Sequence, residues 1–329
     1  MPTKDTSPLS SEELIRAAYR QILGREPEND TVVHEQSKSL VTPDDVLRSF
    51  LHSAEYIATN SAFVKALAAG TRGRSKRIEV NATDELLKQL FSRIRHQWQS
   101  LGQSEPYWSV LTDDRFRQDK IEEFREEFNQ SGSRSMAAIN AAAQRSREKL
   151  PTGRCVELGC GVGRVTHYLA NHFDEVIAVD ISQGNLDLCE QYMRETGKKN
   201  VRTILLSDPS DAQELPDCDM FYSVIVLQHN PPPVIQFFLT TLLEKVRPGG
   251  AAYFQVPTHT PGYSFSVKNY LDSVPPELEM HSFPMPVVLS ILDRQRFKVR
   301  EVLMDDACGI YGSHAFYAVK PPPRSASAK

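Results

Sequence analysis

A chain of 329 residues, 40% hydrophobic and 24% charged, is longer than one ordinary domain needs and apolar enough to build a core, which excludes disorder over its length. No apolar run approaches the ~18 residues of a membrane-spanning helix, so no integral membrane segment is expected. A formal net charge of -4 argues against a broadly basic surface for nucleic acid. The opening residues MPTKDTSPLSSEELIR are polar and lack the apolar stretch of a secretory signal. Cys155, Cys160, Cys189, Cys218 and Cys308 form no C-x-x-C pair and offer no zinc spacing. Free thiols, no metal and a cytoplasmic address are therefore expected.

Residues 1–70 read as a small all-α module. Ser10 and Ser11 precede the acidic pair Glu12 and Glu13, and Leu14, Ala18 and Ile22 follow at helical spacing up to Gly24. Thr42-Pro43-Asp44-Asp45 marks a second helix start, and a third helix is expected from Ser53 to Leu67. Residues 71–82 are a basic linker. Residues 83–150 read as a helical lid or connector, interrupted from Gly102 to Pro106, with Trp98 and Trp108 as packing residues and a last helix from Met136 to Leu150.

From residue 151 to 320 strands and helices alternate, the pattern of a parallel sheet covered on both faces. The expected strands are Arg154–Leu158, Glu175–Asp180, Val201–Leu206, Met220–Leu227, Ala251–Val256, Phe297–Leu303 and His314–Val319, the last two an antiparallel hairpin at the sheet edge. Helices are expected at Arg164–His172, Gly184–Thr196, Val234–Lys245 and Pro286–Leu292. Residues 321–329 form a polar tail. The fold class is α/β, a doubly wound, mostly parallel seven-stranded sheet with an antiparallel last strand, preceded by the all-α module.

Val156-Glu157-Leu158-Gly159-Cys160-Gly161-Val162-Gly163-Arg164 follows a strand and opens a helix. Glycines there allow a tight turn and close approach of backbone amides to a ligand. Asp180, at the end of the next strand, suits the two hydroxyls of an unphosphorylated ribose. A dinucleotide fingerprint would place a third glycine where Arg164 stands, and there is no G-K-[ST] for a phosphate loop. Glu157, two residues before the first glycine, suits an ammonium better than a pyrophosphate. These features point to S-adenosylmethionine.

Glu157 to Gly163 resembles motif I of the class I S-adenosylmethionine-dependent methyltransferases. The likeness continues through Asp180, Ser207-Asp208, Asp219 to His229, and Val246-Arg247-Pro248-Gly249-Gly250, covering roughly residues 150–320. It implies a Rossmann-like fold in which Gly159, Gly161 and Gly163 meet the methionine part of the cofactor. It gives Asp180 the ribose, Ile181 the adenine and Asp208 the adenine amino group, with Glu157 and Gln228 completing the cofactor-binding set.

The sulfonium methyl is already activated, so alignment of the acceptor is the main task. A hydroxyl acceptor also gains from a general base, and His229 and His281 are the candidate catalytic residues. Asn230-Pro231-Pro232-Pro233 differs from the N-P-P-Y of amino-directed methyltransferases in position and in lacking the aromatic, so it reads as a helix start. Tyr19 to Pro27 and Phe50 to Tyr56 resemble a bacterial helical domain family of unknown function, whose association with glycan and secondary-metabolite enzymes tilts the acceptor toward a sugar hydroxyl. The expected function is O-methylation of a saccharide or other small hydroxylated molecule, with a possible protein partner for the N-terminal module. A non-catalytic cofactor-binding scaffold, an N- or C-directed transfer and a nicotinamide oxidoreductase are the alternatives.

Overall fold

In the computed structural model, which describes residues 10–23, 25–42, 45–46, 49–50, 53–55, 78–274, 276, 278–305, 308–309 and 312–322, the chain divides into two units, Met1–Ser75 and Lys76–Lys329. The first unit opens with α1 (Ser11–Ile22), started by a reciprocal cap: Glu13 N–H donates to Ser10 Oγ at 3.3 Å and Ser10 N–H to Glu13 Oε2 at 2.7 Å. Its apolar stripe buries Ile15, Ala18 and Tyr19 against Val33, Val46 and Phe50. The two sequence blocks singled out in this module meet. The Tyr19 and Phe50 rings stand edge to face at 4.9 Å, and Arg25 holds Glu55 through two hydrogen bonds of 2.5 and 2.6 Å.

A helix absent from the sequence reading, α2 (Asp30–Ser37), lies between them, started by Asn29, whose side chain accepts from Val32 N–H at 3.0 Å. The start read at Thr42 shows its cap, since Asp45 N–H donates to Thr42 Oγ1 at 3.2 Å. Residues 56–67 of the expected third helix and the basic segment at 71–77 lie outside the described residues.

The second unit begins with four helices, α3 (Asp84–Ser104), α4 (Pro106–Val110), α5 (Ile121–Ser131) and α6 (Ser133–Arg145). Then come β1 (Arg154–Leu158), α7 (Thr166–Leu169), β2 (Glu175–Asp180), α8 (Gln183–Glu195), β3 (Val201–Leu205), β4 (Cys218–Ser223), α9 (Pro232–Glu244), β5 (Val246–Pro257), α10 (Val267–Leu271), α11 (Met285–Arg294), β6 (Lys298–Met304) and β7 (Ser313–Val319). The seven strands form one sheet in the order β3-β2-β1-β4-β5-β7-β6. The first five run parallel, and β7 runs antiparallel between β5 and β6.

Alternation along the strands sends Val156, Leu158, Ile177, Val179, Phe221 and Phe254 to one face, where α3, α9 and α11 cover them. Cys155, Met220, Tyr222 and Tyr317 point the other way, under α6 and α7. The strand order reverses direction at β1 and β4, and a crevice opens there beyond the carboxyl ends of the strands.

Several boundaries differ from the sequence reading. The last helix before the sheet ends at Arg145 rather than Leu150, and β5 starts at Val246 rather than Ala251. Three others bear on the site. Gly102 does not break its helix: α3 runs on to Ser104, and Gly102 marks a close approach, because a Cβ there would lie 2.0 Å from Ser182 Oγ. The helix after the glycine loop is short. Positive φ at Gly161 and Gly163 delays its start, and Asn200 Nδ2 takes the carbonyls of Ala170 and Phe173 at its end, both at 2.9 Å. The strand β4 stops at Ser223 rather than Leu227, because the backbone turns over at Ile225.

Candidate functional site

A cleft of about 810 Å³, counted out to its open mouth, lies over the ends of β1, β2 and β4. Its floor is the glycine loop. Gly159 and Gly161 have φ of 75° and 54°, where a side chain is strained, and the space a Cβ would take at Gly159 is held by Val226 Cγ2 at 2.3 Å. The roof comes from Ile94 and Trp98 of α3 and Ser109 and Val110 of α4. Residues Val224 to Val226, followed by His229 and Asn230, form the wall on the β4 side.

Two buried carboxyls line the floor. Glu157 on β1 is 2% exposed, accepts the Thr166 hydroxyl at 2.6 Å and, among the described residues, forms no ion pair. Burial raises its pKa to about 7, against the lowering effect of Thr166 and Arg164. Asp180, at the end of β2, accepts Gly161 N–H at 2.8 Å and Ser182 N–H at 2.9 Å. Burial raises its pKa too, and these backbone donors oppose the shift. The aspartate thus ties the glycine loop to the start of α8.

His229 stands in a 3-10 turn, Leu227–His229, just past β4. Its Nδ1 lies 2.8 Å from the Glu279 carbonyl oxygen, which can only accept, so Nδ1 carries the proton and the unprotonated Nε2 accepts from Gln228 Nε2 at 3.3 Å. The ring packs against Trp98 at 4.9 Å between centroids. Burial lowers its pKa to about 4, leaving a neutral imidazole at pH 7. The ring is held from behind by a polar cluster. Glu279 accepts from Arg93 at 3.3 Å, from His281 Nε2 at 3.1 Å and from the Tyr270 hydroxyl. His281 N–H donates to the Gln228 carbonyl at 2.7 Å, and its Nδ1 lies 2.8 Å from the Tyr263 hydroxyl. Burial would raise the Glu279 pKa, but hydrogen bonds from His281 and Tyr270 and the charge of Arg93 lower it, so it stays an ionised acceptor.

Of the sequence-predicted residues, Glu157, Gly159, Gly161, Asp180, Ile181 and His229 come together around the cleft. The others stand elsewhere. Gly163 turns toward α8, where a Cβ would meet Cys189 Sγ at 2.9 Å. Asp208 caps the turn at Pro209–Gln213, accepting Ser210 Oγ at 2.6 Å, which lowers its pKa. Gln228 is fully buried outside the lining, with its Nε2 3.3 Å from His229 Nε2, and His281 lies in the cluster behind His229.

The roof residues fall in the stretch read as a helical lid or connector, where Trp98 is expected to pack and none is named as a site residue. Their signal is the apolar stripe of α3, Leu87, Leu90, Phe91 and Ile94, which continues to Trp98 beyond the part that covers the sheet. None of the described residues forms a group of three or more His, Cys, Asp or Glu able to hold a metal, and no described helix is long and apolar enough to cross a membrane.

Residues 155–250 match the family described as methyltransferase domain. The ubiquinone biosynthesis O-methyltransferase of Rhizobium rhizogenes is 28% identical over 101 residues, 30% of this chain and 39% of that protein. The one from Methylococcus capsulatus is 27% identical over 101 residues, 31% of this chain and 42% of that protein. The chain thus spans less than half the length of these relatives. Magnesium protoporphyrin IX methyltransferase from Synechocystis PCC 6803, solved with bound SAH, superposes with a TM-score of 0.51 at 18% identity, over 70% of this chain and 99% of that one. The last likeness is one of fold.

Proposed function

We propose that the methyltransferase domain at residues 155–250 binds S-adenosylmethionine in the cleft over β1, β2 and β4 and methylates an oxygen of a saccharide or other small hydroxylated molecule. The observation that carries this reading is one cleft that brings together the glycine turn, two buried carboxyls and a neutral imidazole with an unprotonated nitrogen. These residues fit the cofactor. Gly159 and Gly161 leave backbone rather than side chain at the floor, Glu157 is a buried acid that forms no ion pair among the described residues, and Asp180 ends β2 beside the apolar Ile181. When bound, S-adenosylmethionine supplies a methyl group already activated on a sulfonium. Glu157 would take the ammonium, Asp180 the ribose hydroxyls and Ile181 one side of the adenine. Asp208 and Gln228 would act from outside the cleft lining, by shaping the loops that border it.

His229 Nε2 exchanges the Gln228 amide at 3.3 Å for the acceptor's hydroxyl and takes its proton as the oxygen loses it, while Nδ1 stays tied to the Glu279 carbonyl. His281 supports this arrangement by holding the Gln228 carbonyl and the Glu279 carboxylate. Trp98 and the roof helices exclude water from the ring. The names of the curated relatives, O-methyltransferases, favour oxygen as the acceptor atom. The five free cysteines suit a reducing, cytoplasmic address. For the N-terminal unit, in which Arg25 pairs with Glu55, a protein partner is proposed.

The test is transfer of a labelled methyl group from S-adenosylmethionine to a panel of sugars and hydroxylated metabolites. A labelled product is expected, and His229→Ala should lower its rate by ~10²–10⁴-fold with cofactor affinity nearly unchanged. Cofactor binding with no acceptor in any class would favour a scaffold and overturn the proposed transfer.

A further inference from the structure

We propose that Gln255 is a positioning residue, which sets the β4-side wall of the cleft by holding Ile225 in a left-handed backbone conformation. Ile225 has φ of 61°, a region that β-branched side chains avoid. Such a conformation persists only where the surroundings over-determine it, and it concentrates at sites of function. Here the surroundings are specific. Ile225 N–H donates to Gln255 Oε1 at 2.9 Å.

Gln255 lies inside β5, paired with Ala315 of β7, and is 1% exposed. Its amide cannot turn freely. Nε2 donates to Ser313 Oγ at 2.6 Å, and that hydroxyl in turn lies 3.1 Å from Asp305 Oδ2, a carboxylate oxygen that only accepts. The hydroxyl proton therefore points at Asp305, the hydroxyl oxygen accepts from Gln255, and Oε1 is left facing Ile225.

What hangs from Ile225 is the wall itself. Val224, Ile225, Val226, His229 and Asn230 all line the cleft. Immediately after the turnover, the Val226 carbonyl accepts His229 N–H at 3.1 Å and Asn230 Nδ2 at 2.9 Å. The Val226 side chain fills the space above Gly159. An ordinary helical or extended backbone at Ile225 would turn both Val226 and His229 away from where they stand. Gln255 is not among the lining residues and reaches them through the Ile225 amide, so its action is indirect.

Only the ligand readout rests on the proposed function. The test is a double-mutant cycle between Gln255→Met, which keeps length but removes the acceptor, and Ile225→Gly, for which positive φ carries no strain. Affinity for S-adenosylhomocysteine and the melting midpoint without ligand are both measured. In the Ile225 background Gln255→Met should weaken binding about tenfold or more, and in the Ile225→Gly background less than about threefold. The melting losses should be non-additive in the same direction. Ser313→Ala, a milder change that frees the Gln255 amide, should show the same dependence on residue 225 if Gln255→Met does not fold. Equal losses in both backgrounds would overturn the clamp. If the unmodified protein bound no S-adenosylhomocysteine, the proposed function would fail, and the melting cycle would still decide the clamp.

Discussion

His229 makes the stability of this protein depend on pH in a way that one substitution isolates. Burial holds its folded pKa at about 4, while an unfolded histidine titrates near ~6.5. The unfolded chain therefore binds the proton first, and stability is lost as pH falls below ~6.5 until the folded state also takes the proton near 4. The full effect corresponds to about 3 kcal/mol, of which about 2 kcal/mol is lost between pH 7.5 and pH 5.

Glu157 pulls the other way. Its folded pKa of about 7 lies above the ~4.3 of an exposed glutamate, so the folded state gains stability as pH falls through 7. The raw profile is a sum of opposed terms, and only a difference between variants separates them. His229→Asn cannot be protonated in this range, yet its amide can still donate to the Glu279 carbonyl. Urea unfolding of both proteins at pH 7.5 and pH 5 should show the unmodified protein losing about 2 kcal/mol more than His229→Asn. Equal losses would refute a buried neutral imidazole, and with it the unprotonated Nε2 assigned to the acceptor.

Two glycines give contrasting expectations. Gly159→Ala combines a φ of 75° with a Cβ 2.3 Å from Val226 Cγ2, and should cost roughly 2–5 kcal/mol in urea unfolding. Gly102→Ala would gain about 1 kcal/mol of helix propensity at an open site. Here its Cβ falls 2.0 Å from Ser182 Oγ, which caps α8, so a net loss of roughly 1–3 kcal/mol is expected. A stabilised Gly102→Ala protein would contradict the packing of α3 on α8.

The sheet was legible because its central strands are buried on both faces and read as apolar runs: Val176, Ile177, Ala178 and Val179 are all fully buried. The glycine turn was legible because positive φ at consecutive alternate positions leaves few other residue choices. The boundaries that misled have tertiary causes. A glycine inside a helix looks like a stop until Ser182 and Asn185 are seen pressed against it. Just past the end of β4, Ile225 N–H donates to Gln255, thirty residues further along the chain, a contact that no local pattern announces. In the same way, α2 has an Asn29 cap but buries only Val33, too little apolar periodicity to be noticed.

The site was half legible for the same reasons. Residues fixed by the ends of β1 and β2 fell where expected, since strand ends place them directly. Asp208, Gln228 and His281 hang from turns and inserts whose course depends on local caps, and those caps turned them away from the lining. Trp98 stands with the cleft instead, because the long helix α3 outruns the sheet it covers.

The central claim is that the cleft is built for S-adenosylmethionine, and titration calorimetry with S-adenosylhomocysteine tests it most directly. One saturable site is expected, weakened ~10–100-fold by Asp180→Asn, which removes a charged acceptor but keeps size and one acceptor oxygen. No binding to the unmodified protein, or an affinity indifferent to Asp180, would contradict it.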